Sequence, residues 1–200
     1  DPSATIAAGI AYDETLEPLL NAWGIDIDRK TVIADRKNAQ RVRMLVDGKP
    51  ALTNFVLWPT LGPDSISDDD VAVAGIEKLN MATPGAITAI EGSGLRVRPL
   101  VQSSDDAMVV SAEDVRHTPN PIQLLRDFEP SGEIYDIAVR VSGTASSAFP
   151  EGPPDDLSST EGTERAPHIE SGEVNAIVVA DIDMLHDRFW VTVQNVAGGE

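Results

Sequence analysis

Asp181-Ile182-Asp183, with His186 and Asp187 just behind, is the most chemically equipped cluster in the chain. It follows the apolar run 174–180, and so stands at the carboxyl end of an expected strand, where open α/β sheets place their ligands. Two carboxylates two residues apart could share a hard cation such as Mg²⁺, with other oxygens completing the shell. The plainer reading is that Asp183 caps a following helix while Asp181 hydrogen-bonds loop backbone. A third is contact within a larger interface.

Other starting points for chemistry are thin. The three histidines, His117, His168 and His186, have no neighbours that resemble a triad. Ser93 lies between glycines without the spacing of a nucleophile elbow, and Ser146 and Ser147 sit in irregular sequence. Neither a phosphate-cradling P-loop nor a dinucleotide-binding glycine pattern occurs. The chain has no cysteine, which removes disulfides, thiolate metal sites and thiol nucleophiles together. No catalytic residue, metal ligand or cofactor is therefore expected.

The overall charge narrows the partners. Against 15 basic residues stand 33 acidic ones, a net charge of −18, which repels phosphate backbones and argues against nucleic acid. Hydrophobic residues make up 42% and aromatics 4%, so a core is affordable but must be aliphatic. That scarcity of rings also makes a sugar-stacking surface a poor expectation. The chain opens on Asp1-Pro2-Ser3 and has no apolar run of membrane-spanning length, so it reads as an excised piece of a larger protein.

The elements that must position these residues follow from period and turn chemistry. Leu16, Leu19, Leu20 and Trp23 share one helix face, with Thr15 as cap and Gly24 in the left-handed position after the last turn. A strand is expected at 31–34, then a hairpin of 41–46 with 51–58 about Asp47-Gly48, lengthened by Lys49-Pro50. Asp68-Asp69-Asp70 reads as a solvated turn before a strand at 71–73. A second hairpin pairs 84–90 with 95–101 around Gly92-Ser93-Gly94, and 107–110 is a further short strand. Asn120-Pro121 starts a helix that runs through Phe128 and buries Leu124, Leu125 and Phe128. A strand at 135–141 precedes an aperiodic stretch, in which a mobile loop is expected at about 150–165. Residues 174–180 suit a strand covered on both faces, and 184–196 a helix burying Leu185, Phe189, Val193 and Val196. Phe189 and Trp190 are adjacent, so one must turn away from that face.

Several segments resemble one family. Leu16-Glu17-Pro18-Leu19-Leu20-Asn21-Ala22-Trp23-Gly24-Ile25 with Val32-Ile33-Ala34-Asp35-Arg36 is similar to the Gldg family, auxiliary components of ABC-2 type transport systems related to a gliding-motility protein. Leu79-Asn80-Met81-Ala82-Thr83-Pro84-Gly85-Ala86, Leu100-Val101-Gln102-Ser103-Ser104 and the stretch from Leu124 to Gly132 extend the likeness. Arg140-Val141-Ser142-Gly143, the stretch 148–154 and, most specifically, Val178-Val179-Ala180-Asp181-Ile182-Asp183-Met184-Leu185 through Trp190 complete it. The resemblance implies an extracytoplasmic domain beside an ABC permease and its ATPase, membrane-anchored in the full-length protein. It also implies a strand before Asp1, and a helix and membrane span after Glu200. The implied fold is like that of class I glutamine amidotransferases, whose cysteine nucleophile has no counterpart here.

The expectation is a single extracytoplasmic α/β domain fragment over 1–200. It has a mixed sheet, flanking helices and antiparallel hairpins in the middle. Its role is non-catalytic binding or scaffolding, with Asp181, Asp183, Asp187, Arg188 and Trp190 as candidate partner- or ligand-contacting residues. The alternative is a divalent-metal-dependent hydrolase or transferase centred on Asp181 and Asp183.

Overall fold

Strands dominate, and the short segment 81–85 bonds to several of them. The computed structural model describes residues 16–46, 49–116, 119–152 and 168–191, without the side chains of Leu45, Val46 and Arg188. Thr15, Asp47-Gly48, His117 and most of the expected mobile loop (153–167) lie outside the described residues, as do Val193 and Val196. The class is mixed α/β, with three short α-helices among the described residues: α1 (Leu16–Ala22), α2 (Ala112–Val115) and α3 (Pro121–Arg126).

Helix α1 forms as its spacing requires, and Gly24 follows it at φ +73°. A side chain at Gly24 would also collide with Ser93, so backbone angle and close approach both demand glycine there. Leu20 and Trp23 pack onto Ile25, Val139 and Val141, while Leu16 stays half exposed.

The largest sheet is built on β9 (Asp136–Ser146), which pairs along one edge with β7 (Arg96–Gln102). Its other edge takes β10 (Ser171–Val179) and, beyond the end of β10, β6 (Ile87–Ala89), which in turn carries β1 (Ile25–Ile27). β6 and β7 thus lie on opposite edges of β9, and the expected hairpin between them does not form. The three residues of β6 offer a much shorter ladder than β9 does. β9 also runs past Val141, where its apolar run ends, because nine register pairs with β10 keep it extended.

β10 pairs antiparallel with β9, and its residues alternate between exposed and half-buried along most of its length. It is a half-solvated edge strand, not the doubly covered parallel strand that its composition suggested. Among the described strands every pairing is antiparallel. The amidotransferase-like part of the expectation gains no support from the sheets.

Two smaller sheets join the first. β2 (Thr31–Asp35) pairs with β8 (Ala107–Ser111), and β3 (Ala39–Val46) pairs with β4 (Lys49–Leu61), which pairs with β5 (Leu79–Asn80). Val46 lies opposite Lys49, so Lys49 and Pro50 belong to the strand and the connection is two residues long. Val71–Val73 forms turns rather than a strand, because Asp70 accepts the N–H of Ala72 on its side chain and those of Val73 and Ala74 on its carbonyl. Asn120 caps α3 by accepting from the N–H groups of Ile122 and Gln123, with Pro121 at the first helical position.

Residues 81–85 are the seam between these sheets. Met81 and Thr83 donate to the carbonyls of Pro59 and Leu57 on β4, and Ile33 on β2 donates to Pro84. Gly85 donates to Ala180 at 2.7 Å, where a Cβ would sit 3.4 Å from that of Ala180. Thr83 takes φ +52°, an unusual angle for a β-branched residue, and the two flanking backbone bonds hold it there.

Candidate functional site

The corner after β10 is assembled against this seam. Asp181 is 9% exposed, and its two oxygens accept from the Ala82 N–H at 2.9 Å and the Met184 N–H at 3.2 Å. Asp183, expected to be the cap, accepts no such bond among the described residues. The short turn Asp183–Leu185 begins after Ile182 without a side-chain cap there, and the bond to Met184 comes from Asp181. The expected role of Asp181 in binding loop backbone holds; that of Asp183 as cap does not.

The expected helix from 184 is, as far as Val191, two short 3₁₀ turns, Asp183–Leu185 and Asp187–Phe189. His186 between them is extended, which breaks the 3.6-residue period and turns Leu185 outward to 69% exposure. Phe189 does reach the core. Its ring meets the edge of Trp58 with centroids 5.9 Å apart, and its carbonyl accepts from Asn80 Nδ2 at 2.8 Å. Trp190 faces the other way, 68% exposed, its indole N–H donating to the Leu185 carbonyl at 3.2 Å.

The corner therefore has a buried acidic anchor and an apolar rim. Ile182, Leu185, Trp190 and Val191 are all exposed around it. Of the candidate contact residues, Asp181 is buried, Asp183 half-buried, and Asp187 and Trp190 exposed; the side chain of Arg188 lies outside the described residues. Segments that share the family likeness meet here: 79–86 is bonded to 178–190 at Ala82, Gly85 and Asn80. The sequence pattern of a family described as an ABC-type uncharacterized transport system matches residues 2–200.

The chain belongs to that family.

It is an auxiliary component of an ABC-type transport system. No curated protein and no solved structure matches it. Among the described residues of this auxiliary component, no helix is long and apolar enough to cross a membrane.

The chemistry available at the corner of the auxiliary component is limited. Burial raises the Asp181 carboxyl to about 6, and the nearby charge of Asp183 adds to the rise; the donations from Ala82 and Met184 oppose it. Both Asp181 oxygens accept backbone N–H groups and the side chain is almost wholly buried, so it faces the chain's own amides rather than an open ligand position. Among the described residues no three acidic or histidine side chains converge on one point.

The raised value has a consequence for stability. The folded chain holds this proton more tightly than the unfolded one, whose value is 3.8. The associated stability is fully present below that value and is lost as pH rises through about 6. Asp181→Asn should flatten the profile, shrinking the fall in unfolding free energy between about pH 4 and 7 by on the order of 2 kcal/mol. Urea titrations across that range check this; parallel profiles for parent and variant would refute it.

Two further clusters escaped the sequence reading. Asp70 is buried rather than solvated, and receives Arg98 and both Arg140 Nε (2.6 Å) and Nη2 (2.8 Å). Asp35, fully buried, accepts from Asn38 and Ser104. The legible signal was positional: arginines within strands of so acidic a chain need a carboxylate opposite. Nothing along the chain separates Asp70 from Asp68 and Asp69.

Proposed function

We propose that this auxiliary component works as an extracytoplasmic binding or scaffolding module, anchored to the membrane in the full-length protein. It contacts the ABC permease, and through it the ATPase, with the corner at 181–191. The observation that carries this reading is the ring of exposed Ile182, Leu185, Trp190 and Val191 on a corner pinned from below by Asp181 and Asn80. Neighbouring apolar side chains left in water around a rigid anchor suit a protein contact, and tryptophan is favoured among residues that dominate interface energies. Asp183 and Asp187 give the rim a negative charge that selects a basic partner surface.

Leu185→Asp combined with Trp190→Ser in the full-length protein tests this. Both side chains are exposed, so the melting temperature should stay within about 2 °C, as surface changes usually do. Recovery of the permease on purification from membranes should fall by at least about 10-fold, the loss of one or two hot spots. Undiminished recovery with a folded variant would dismiss the corner as the contact.

A further inference from the structure

A cleft of about 370 Å³ opens among β2, β4, β8, α2 and α3, on a different part of the molecule from the corner. It lies within the size range of small-molecule sites. Its floor is apolar, formed by the half-buried Met108, Val110 and Leu124 over the buried Ala34, Val56 and Phe128. Its mouth is acidic, lined by the exposed Asp114 and Asp127. Neither carboxylate forms an ion pair with any cation among the described residues. The nearby guanidinium of Arg36, 4.9 Å from the Phe128 ring, is held by two hydrogen bonds to Asp106, and Arg116 pairs with Glu113.

We propose that this cleft binds a small organic cation with an apolar body, hydrocarbon on the floor and the positive group beside Asp114 and Asp127. Charge chooses among ligands of equal apolarity. Two carboxylates at the mouth that lack an ion pair among the described residues, on a chain of net charge −18, repel anions and leave a neutral head without electrostatic reward. The apolar floor supplies most of the affinity and the rim supplies the selectivity.

Decylammonium, decanoate and decanol carry one tail under three heads, and methyl-labelled protein followed by NMR reports where each binds. Decylammonium should saturably shift the methyl signals of Val56, Val110, Val115 and Leu124 below its micelle concentration. It should bind about 10-fold tighter than decanoate, the worth of two exposed charge contacts. The double variant Asp114→Asn, Asp127→Asn should erase that preference and leave decanol unchanged. If the double variant unfolds, added salt must weaken decylammonium and spare decanol in the parent. Equal binding of decanoate, shifts that never saturate, or shifts confined to Ile182, Leu185 and Val191 would overturn the assignment.

Discussion

Replacing Asp35 by alanine should lower the melting temperature by roughly 10 °C, with a loss of at least about 3 kcal/mol. The carboxylate has no exposed surface and accepts four hydrogen bonds, from Asn38 N (3.0 Å) and Nδ2 (2.9 Å) and from Ser104 N and Oγ (both 2.8 Å). They tie the end of β2 to the turn that opens β3 and to the loop leaving β7. Each such bond is worth on the order of 1 kcal/mol, and alanine also leaves the buried Ser104 N–H without its acceptor. Asp35→Asn should be nearly as damaging, since its amide nitrogen must face one of these donors. Thermal denaturation of both variants checks this; an asparagine variant within about 2 °C of the parent would show that the site tolerates a donor.

Removing Asp70 should cost roughly 5–10 °C, by a different mechanism. Arg98 and Arg140 stand directly opposite each other on β7 and β9, and Asp70 is the carboxylate that both reach. Without it two guanidinium groups face across a strand pair, where like charges destabilise. The variant should therefore regain stability with added salt more than the parent does. Arg140 and the Ala72 N–H hold the Asp70 carboxyl well below the usual carboxylate range. Its stabilisation is present above the unfolded value of 3.8 and is lost as pH falls towards the lower folded one. Asp70→Asn should accordingly lack that part of the parent's acid sensitivity, a window opposite in sense to that of Asp181. Melting curves at low and high salt, and at pH 3 and 7, decide it; equal salt responses would show that the arginines do not repel.

Local rules were legible where local chemistry decides. Helix α1 with Gly24, the Asn120-Pro121 start and the strands at 31–35 and 107–111 follow from caps, period and β-branching. Partner choice was not legible, because period says that a strand is present and not what lies beside it. β6 and β7 carry a plausible turn between them, yet β9 offers each a partner on a separate edge. Residues 184–191 fit a helix by spacing, but the anchoring of Asp181 to Ala82 and of Phe189 to Asn80 imposes two turns instead. The candidate corner was found for its carboxylates. Its exposed apolar rim was hidden by the helix that its sequence imitates.

The position of β9 also dictates when this molecule can take shape. The strand that organises the largest sheet follows β1, β6 and β7 in sequence, so that sheet closes over long separations along the chain. Much of the packing under α1 comes from Val139 and Val141, so that helix is sheltered only once β9 is in place. Such distant pairings make assembly slow. A fragment ending before residue 136 would lack the surface on which α1 settles.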